Sequence, residues 1–107
     1  MKILFVCSAN INRSPTCARV FKEYFKDDKK LEVKSAGIFA GNPLQFNEEL
    51  AKWADKIFVM DLSHFKFMYE KYANYFYKVE MMGIGDIYNR DEEELVDLIK
   101  WWIDRNW

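Results

Sequence analysis

Short apolar runs separated by amphipathic stretches divide the chain into alternating elements. Residues 3–7 are apolar at every position and end at polar Ser8. A continuous run of this length is typical of a strand that is buried on both faces, as in a parallel sheet. Residues 31–35 alternate apolar and polar side chains and predict a second strand. Residues 57–60 and 78–82 predict a third and a fourth strand.

The stretches between the strands repeat apolar residues at helical spacing. Ser14-Pro15 is typical of an N-cap followed by proline at the first helical position, which predicts a helix over about residues 15–26. Asp61 or Ser63 can cap a later helix, and the acidic run 91–94 suits the start of the last one. The predicted inner faces of the four helices are Cys17, Phe21, Tyr24 and Phe25; Phe46, Leu50, Trp53 and Ala54; Phe65, Met68, Tyr69 and Tyr72; and Leu95, Leu98, Ile99 and Trp102.

Strands that alternate with helices predict an α/β fold. We expect a three-layer α/β/α sandwich with a central four-stranded parallel sheet and right-handed crossovers. The length of 107 residues suits one domain, residues 1–107. Ligands in such folds lie beyond the carboxyl ends of the strands, so the residues after Cys7 are the first place to look for chemistry.

Composition and charge exclude several classes of protein. Lys and Arg number 16 against 17 Asp and Glu, and this net charge of −1 argues against a nucleic-acid-binding surface. No apolar run approaches the roughly 20 residues that cross a bilayer, and no signal peptide opens the chain, so we expect a cytoplasmic protein that does not bind membranes. We expect no metal and no cofactor, because His and Cys do not cluster and no glycine-rich nucleotide loop is present.

Polar residues between the first strand and the first helix form a candidate anion-binding loop. In this strand-loop-helix arrangement, the backbone N–H groups of residues 8–14 can surround an oxyanion. Arg13 lies inside the loop, and its guanidinium can bind two oxygens of a tetrahedral anion. The same positive field favours a thiolate at Cys7, which makes that residue a candidate nucleophile.

The segment 4–16, LFVCSANINRSPT, closely resembles the phosphate-binding loop of the low-molecular-weight protein tyrosine phosphatases. Ser35-Ala36-Gly37 and the segment 54–61, ADKIFVMD, extend the resemblance. It implies that Cys7 attacks phosphorus and forms a cysteinyl-phosphate, which water then hydrolyses. It also implies a phosphate site made by Arg13 and by the loop residues Ser8, Ala9, Asn10, Ile11, Asn12 and Ser14.

Further roles follow from the same resemblance. Ser14 matches the hydroxyl that hydrogen-bonds the thiolate, and Asn10 matches an asparagine that adopts a left-handed conformation. Ser35 would support Asn10. A general acid is expected from a late loop, where Asp86 and Tyr88 match the family's Asp-Pro-Tyr without its proline. Asp86 is therefore the expected acid and Tyr88 a substrate wall.

Asp91 is the second candidate for the general acid, although it also suits the first turn of the last helix. The only histidine, His64, is expected to be a solvated first-turn residue.

The chain departs from the family pattern in two places. Asn12 replaces a second cysteine that many members carry just before the arginine, so a protective disulfide with Cys7 is not expected there. Cys17 lies on a helix stripe and is expected to be a core residue, with a resolving thiol as the alternative. The segment between Gly37 and Ala54 is expected to be shorter than in full-length members, which removes part of one wall of the substrate cleft.

These features favour a cysteine-dependent phosphatase that acts on phosphotyrosine or a similar phosphate monoester. Its partners would be a phosphorylated protein or a small aryl phosphate, and the chain would be a monomer or a weak homodimer. The alternatives are a non-enzymatic phosphoprotein-binding module, an arsenate reductase and a phosphocarrier. The aromatic residues of the segment 65–77 exceed what one helix face can bury, which suggests a substrate platform or a self-association patch.

Overall fold

A four-stranded parallel sheet lies in the middle of the computed structural model, which describes all residues 1–107. In chain order the elements are β1 (Lys2–Cys7), α1 (Arg13–Tyr24), β2 (Glu32–Gly37), α2 (Glu48–Trp53), β3 (Lys56–Val59), α3 (Leu62–Lys71), a 3-10 helix (Ala73–Lys78), β4 (Val79–Met81) and α4 (Glu93–Asn106). All four predicted strands and all four predicted helices are present.

The strand order β2-β1-β3-β4 places β1 in the interior of the sheet, with β2 on one side and β3 on the other. Alternate side chains of β1 enter two separate cores. Ile3 and Phe5 pack with α1 and α4, while Leu4 and Val6 pack with α2 and α3. The expected three-layer sandwich is therefore confirmed.

Strand β1 is anchored by complete burial of its apolar side chains. Residues 3–6 have no exposed surface, and burial of each such side chain contributes about 1.5–3 kcal/mol. Phe5 adds ring contacts, with centroids 4.8 Å from Phe21 and 5.6 Å from Phe58. The strand thus forms a rigid base for the loop that begins after Cys7.

The start of α1 differs from the prediction. The helix begins at Arg13 with Asn12 as its N-cap, so Ser14 lies in the first turn and does not cap it. The reason is that the Ser14 hydroxyl is hydrogen-bonded inside the preceding loop. Phe46 also lies outside its predicted helix, because α2 begins at Glu48 after an N-cap at Asn47.

The aromatic excess is divided between the core and the surface. Five rings of the segment 65–77 pack at least partly against the core on the α2–α3 side, namely Phe65, Phe67, Tyr72, Tyr75 and Phe76. Tyr69 and Tyr77 are exposed. No helix is both long and apolar enough to span a membrane.

Lys78 connects the 3-10 helix to the end of α2. Its ammonium donates hydrogen bonds to the backbone carbonyls of Ala54 at 2.7 Å and Ala51 at 2.9 Å. Carbonyls at a helix C-terminus lack partners within the helix and carry partial negative charge. The Lys78 ammonium satisfies this end of α2 from a segment more than 20 residues away.

We predict that Lys78→Met destabilises the protein, because it removes charge-assisted hydrogen bonds that the methionine side chain cannot replace. A loss on the order of 1 kcal/mol lowers the Tm of a domain this size by about 4–8 °C. Thermal unfolding followed by circular dichroism measures it. Lys26→Met, at an exposed lysine without a hydrogen-bonded partner, is the matched control and should leave Tm unchanged; equal Tm values for the two variants would contradict the prediction.

Candidate active site

The loop between β1 and α1 passes directly over the end of β2. A Cβ atom added at Gly37 would lie 2.8 Å from the backbone of Ser8, Ala9 and Asn10, closer than any side chain permits. The Ile38 and Phe39 N–H groups donate to the carbonyls of Cys7 and Ser8 at 3.0 and 2.8 Å. Glycine at position 37 is therefore what allows the loop to fold back over the sheet edge.

The backbone N–H groups of the loop are largely free to bind an anion. Among residues 8–12, only the Asn10 N–H donates to an acceptor within the protein, the Cys7 sulfur at 3.2 Å. The first N–H groups of α1 follow directly, and these have no partners within a helix. The expected oxyanion site is thus formed by consecutive donors at the helix N-terminus.

Cys7 lies at the base of this loop with only 3% of its surface exposed. The Ser14 hydroxyl is 2.9 Å from its sulfur, and Asn10 reaches the sulfur with its N–H by adopting a φ of 55°. Asparagine tolerates this left-handed conformation better than most residues. The structure therefore brings Cys7, Asn10 and Ser14 together as the family resemblance implies.

Ser14 is the centre of a small buried hydrogen-bond network. Its Oγ lies 2.7 Å from the Asn10 side-chain amide and 3.3 Å from the Ala36 carbonyl. The Ser14 hydroxyl donates its single proton to Asn10 Oδ1, and the Cys7 sulfur and the Ala36 carbonyl are its other neighbours within hydrogen-bond distance. The network thus fixes the positions of Cys7 and Asn10 relative to the first turn of α1.

Ser35 does not support the loop as expected. It pairs with Phe5, two residues before the level at which Cys7 pairs with Gly37, and its hydroxyl makes no hydrogen bond. Two residues along a strand correspond to about 7 Å, which puts the side chain below the loop. The neighbouring Ala36 carbonyl contacts the Ser14 hydroxyl, at 3.3 Å.

Arg13 is buried, and hydrogen bonds from one edge of its guanidinium fix its position. Its Nη1 donates to Asp61 Oδ2 at 2.7 Å and to the Ile84 carbonyl at 2.9 Å. Both Nη1 protons are therefore engaged. The edge formed by Nε and Nη2 remains for an oxyanion, which is the bidentate geometry that arginine offers to phosphate.

Asp61 is a site residue that the sequence analysis identified only as a helix cap. It does cap α3, accepting from the Ser63 N–H at 2.9 Å, and it also pairs with Arg13. Burial acts to raise the pKa of Asp61, but the hydrogen bonds from Ser63 and Arg13 outweigh it and lower the pKa to about 2. Asp61 is therefore a stable anion beside the arginine.

The expectation for His64 was wrong, because the side chain is completely buried. The Asp61 N–H donates to its Nδ1 at 3.2 Å, and its Nε2 lies 2.9 Å from Ser8 Oγ. Since Nδ1 accepts, a neutral ring carries its proton on Nε2 and donates it to Ser8. Burial lowers the pKa of His64 and outweighs the opposing effect of the Asp61 carboxylate.

Of the two acid candidates, only Asp86 faces the loop. Its Oδ1 lies 3.8 Å from Arg13 Nε, at the guanidinium edge that remains available. Asp91 instead binds Arg19 on the outer side of α1, with Oδ1 2.6 Å from Nε. Tyr88 is half-buried against the core on the α1–α4 side.

Cys17 is buried in the core with its sulfur 3.9 Å from the Met60 sulfur. Burial strongly raises the pKa of its thiol, so it stays protonated and inert. Its expected role as a core residue fits this position. No group of three or more His, Cys, Asp or Glu residues is arranged to hold a metal ion.

A groove of about 370 Å³ adjoins the loop at Ser8. It runs between the segment after β2 and the first turns of α3. Its lining residues are Ser8, Ile38, Phe39, Ser63, Lys66, Phe67 and Glu70.

We predict that Asp61 stabilises the fold in a pH-dependent way. Because its folded-state pKa of about 2 lies below its ordinary value of 3.8, the contribution is present above pH 4 and disappears as the pH falls towards 2. The Tm difference between wild type and Asp61→Asn should therefore be largest near pH 7 and shrink below pH 4. Asp27→Asn, at an exposed aspartate, is the control, and a gap that stays constant down to pH 2 would contradict the prediction.

Comparison with known proteins gives a consistent result for the loop region. Residues 2–45 match the sequence profile of the family described as low molecular weight phosphotyrosine protein phosphatase. This range contains β1, the loop, α1 and β2. The resemblance stated from the loop sequence is thereby confirmed. No curated protein matches the chain.

Solved structures match nearly the whole chain. The YwlE arginine phosphatase from Geobacillus stearothermophilus is 25% identical with a TM-score of 0.78, over 97% of this chain and 88% of that one. The low molecular weight protein tyrosine phosphatase from T. tengcongensis is 26% identical with a TM-score of 0.73, over 98% and 99%. The tyrosine phosphatase Wzb from Escherichia coli K30, in complex with phosphate, is 22% identical with a TM-score of 0.77, over 97% and 94%, and supports the fold alone.

Proposed function

We infer that the chain is a cysteine-dependent phosphatase of the low-molecular-weight protein tyrosine phosphatase family, and we propose that it hydrolyses phosphate monoesters through a cysteinyl-phosphate. The observation that carries this proposal is the position of the Cys7 sulfur. It lies at the base of a loop in which the N–H groups of residues 8, 9, 11 and 12 have no partner in the protein and the Nε–Nη2 edge of Arg13 makes no hydrogen bond.

In the first step the Cys7 thiolate attacks phosphorus in line with the leaving oxygen. The S–P bond forms as the P–O bond of the ester breaks. The equatorial phosphoryl oxygens carry the charge, and the loop N–H groups and the Nε–Nη2 edge of Arg13 stabilise it. Ser8 accepts from His64, which leaves its own hydroxyl proton free for an oxygen at the mouth of the loop.

Asp86 is the group that we assign to protonate the leaving oxygen. Its carboxyl lies beside the guanidinium edge that would hold the phosphoryl group, and its side chain is mostly exposed at the mouth of the loop. Proton transfer from a positioned acid contributes roughly 10²–10⁴-fold to such a reaction. In the second step a water molecule gives a proton to the Asp86 carboxylate and attacks phosphorus. A new P–O bond forms as the S–P bond breaks, and the Cys7 thiolate leaves with the Ser14 hydroxyl 2.9 Å from its sulfur.

Exposed apolar side chains beside the loop favour an aromatic substrate such as phosphotyrosine. Ile11 in the loop is 60% exposed and Phe39 after β2 is 75% exposed. Neither side chain is needed for the core, and both can contact a flat ring. Tyr88 is proposed as a further wall, and the groove beside Ser8 has room for neighbouring residues of a phosphorylated protein.

A free thiol nucleophile requires a reducing environment, which supports the cytoplasm as the location. We assign the chain as a monomer or weak homodimer.

The other functions considered for this loop are less favoured. An arsenate reductase passes a disulfide through further thiols, and the only other cysteine, Cys17, is buried. A phosphocarrier has less need of Arg13 and of an acid opposite the cysteine. A module that only binds phosphate would have no use for Asp86 at the mouth of the loop.

The experiment is hydrolysis of para-nitrophenyl phosphate across mildly acidic pH. Wild type should turn over, and Cys7→Ser should lose activity completely because the hydroxyl is a poor nucleophile at this pH. Arg13→Lys should lower kcat/KM by about 10²-fold or more, because the bidentate contact is lost.

Cys17→Ala is the matched control and should keep its activity, since its sulfur lies in the core. A folded wild-type protein that binds inorganic phosphate but never turns over would support the binding module instead. Activity that survives in Cys7→Ser would remove Cys7 as the nucleophile.

A further inference from the structure

The late loop that carries Asp86 is attached to the phosphate loop and α1 at both of its ends. At one end, the Ile84 carbonyl accepts from Arg13 Nη1 at 2.9 Å. At the other end, the Arg90 N–H donates to Asn12 Oδ1 at 3.0 Å. The Asp91 N–H donates to Thr16 Oγ1 at 2.9 Å.

Between these attachments, Tyr88 packs against the core on the α1–α4 side, and the residues around Asp86 are exposed. Asp86 and Ile87 are exposed, and the only partner of the Asp86 carboxylate is Arg13 at 3.8 Å. No side chain of residues 85–89 donates or accepts a hydrogen bond with the rest of the protein. The position of the Asp86 carboxyl therefore depends on the packing of Tyr88 and on where the two ends of its loop are fixed.

We propose that Asn12 and Thr16 are positioning residues that align Asp86 with the phosphoryl group. Asn12 lies within the phosphate loop itself. Its backbone N–H is one of the free donors of that loop, while its side chain accepts from Arg90. One residue thus fixes the acid loop to the same backbone that surrounds the phosphate. This proposal rests on the proposed function, because it assigns a role to Asp86 as general acid.

Thr16 strengthens the same attachment from within α1. Its side chain is buried, its hydroxyl donates to the Asn12 carbonyl at 2.7 Å, and its Oγ1 accepts from Asp91. Asp91 has a φ of 60°, a left-handed conformation that is uncommon outside glycine. Its N–H bond to Thr16 and its ion pair with Arg19 hold it there. Asp91, considered above as an acid, therefore belongs to the attachment.

The consequence is specific to the leaving group. A phenol with a low pKa leaves without a proton, whereas a phenol with a high pKa needs the acid in place. Loss of the attachment should therefore slow the hydrolysis of esters with poor leaving groups far more than that of esters with good ones. A merely structural defect in the phosphate loop weakens contacts with the phosphoryl group, which the two esters share, and would therefore slow both by the same factor.

The test compares kcat/KM for para-nitrophenyl phosphate and phenyl phosphate. Asp86→Asn defines the effect of losing the acid. Asn12→Ala and Thr16→Val should each lower kcat/KM for phenyl phosphate by roughly ten times more than for para-nitrophenyl phosphate, since proton transfer is worth about 10²–10⁴-fold. In the double variant Asn12→Ala with Asp86→Asn, the ratio of kcat/KM for the two substrates should equal the ratio in Asp86→Asn alone.

Two further variants control for folding. Thr16→Ser retains the hydroxyl and should restore the wild-type ratio of the two substrates. Asn47→Ala removes one side-chain-to-backbone hydrogen bond at the N-cap of α2, which lies outside the active site, and should leave the ratio unchanged.

An equal loss for both substrates in Asn12→Ala and Thr16→Val, or no loss, would overturn the positioning role. If wild type turns over but Asp86→Asn shows no dependence on the leaving group, the assignment of Asp86 fails and the positioning proposal falls with it. If wild type does not turn over, the proposed function itself is wrong. The three failures are therefore distinguishable.

Discussion

The active site depends on one buried cation and the partners that hold it. The Arg13 guanidinium is almost fully removed from water, and a buried charge is costly unless it is paired and hydrogen-bonded. Asp61 supplies the opposite charge from the end of β3, and the Ile84 carbonyl follows β4. One side chain thus links the carboxyl ends of β1, β3 and β4, which is where the parallel sheet places its chemistry.

The orientation that this pairing imposes is as important as the charge. With Nη1 engaged by Asp61 and Ile84, the orientation of the guanidinium is fixed, and its second edge, formed by Nε and Nη2, makes no hydrogen bond within the protein. The first turn of α3 positions Asp61, whose N–H donates to His64 Nδ1. The other ring nitrogen of His64 contacts Ser8 in the loop. The cation is therefore positioned before substrate binds, as electrostatic stabilisation of a transition state requires.

Much of the fold and the centre of the site could be predicted from local sequence. The continuous apolar run of residues 3–7 indicated a buried strand, and the polar loop with Cys7 and Arg13 indicated an oxyanion site. Periodicity located each helix to within a few residues. These features depend on residues that are close together in the sequence, so the order of apolar and polar residues is enough to predict them.

The residues that were missed act through contacts between distant segments. His64 was expected in solvent because a histidine near a helix start has no local signal for burial. Its partner in the folded protein, the Ser8 hydroxyl, lies 56 residues away in sequence. Gly37 is required only because the phosphate loop crosses it. Ser35 was expected to support Asn10 by resemblance, whereas the register of β1 and β2 pairs it with Phe5, two residues before the level of Cys7.

We propose that the loop around Arg13 directs covalent phosphoryl transfer to Cys7. The most direct measurement is the intact mass of the protein after rapid acid quenching during turnover of an aryl phosphate, followed by mapping of the modified peptide. We expect a mass increase of one phosphoryl group, located on Cys7 and absent in Cys7→Ala. Steady turnover without any phosphorylated enzyme, or with the phosphoryl group on another residue, would contradict it.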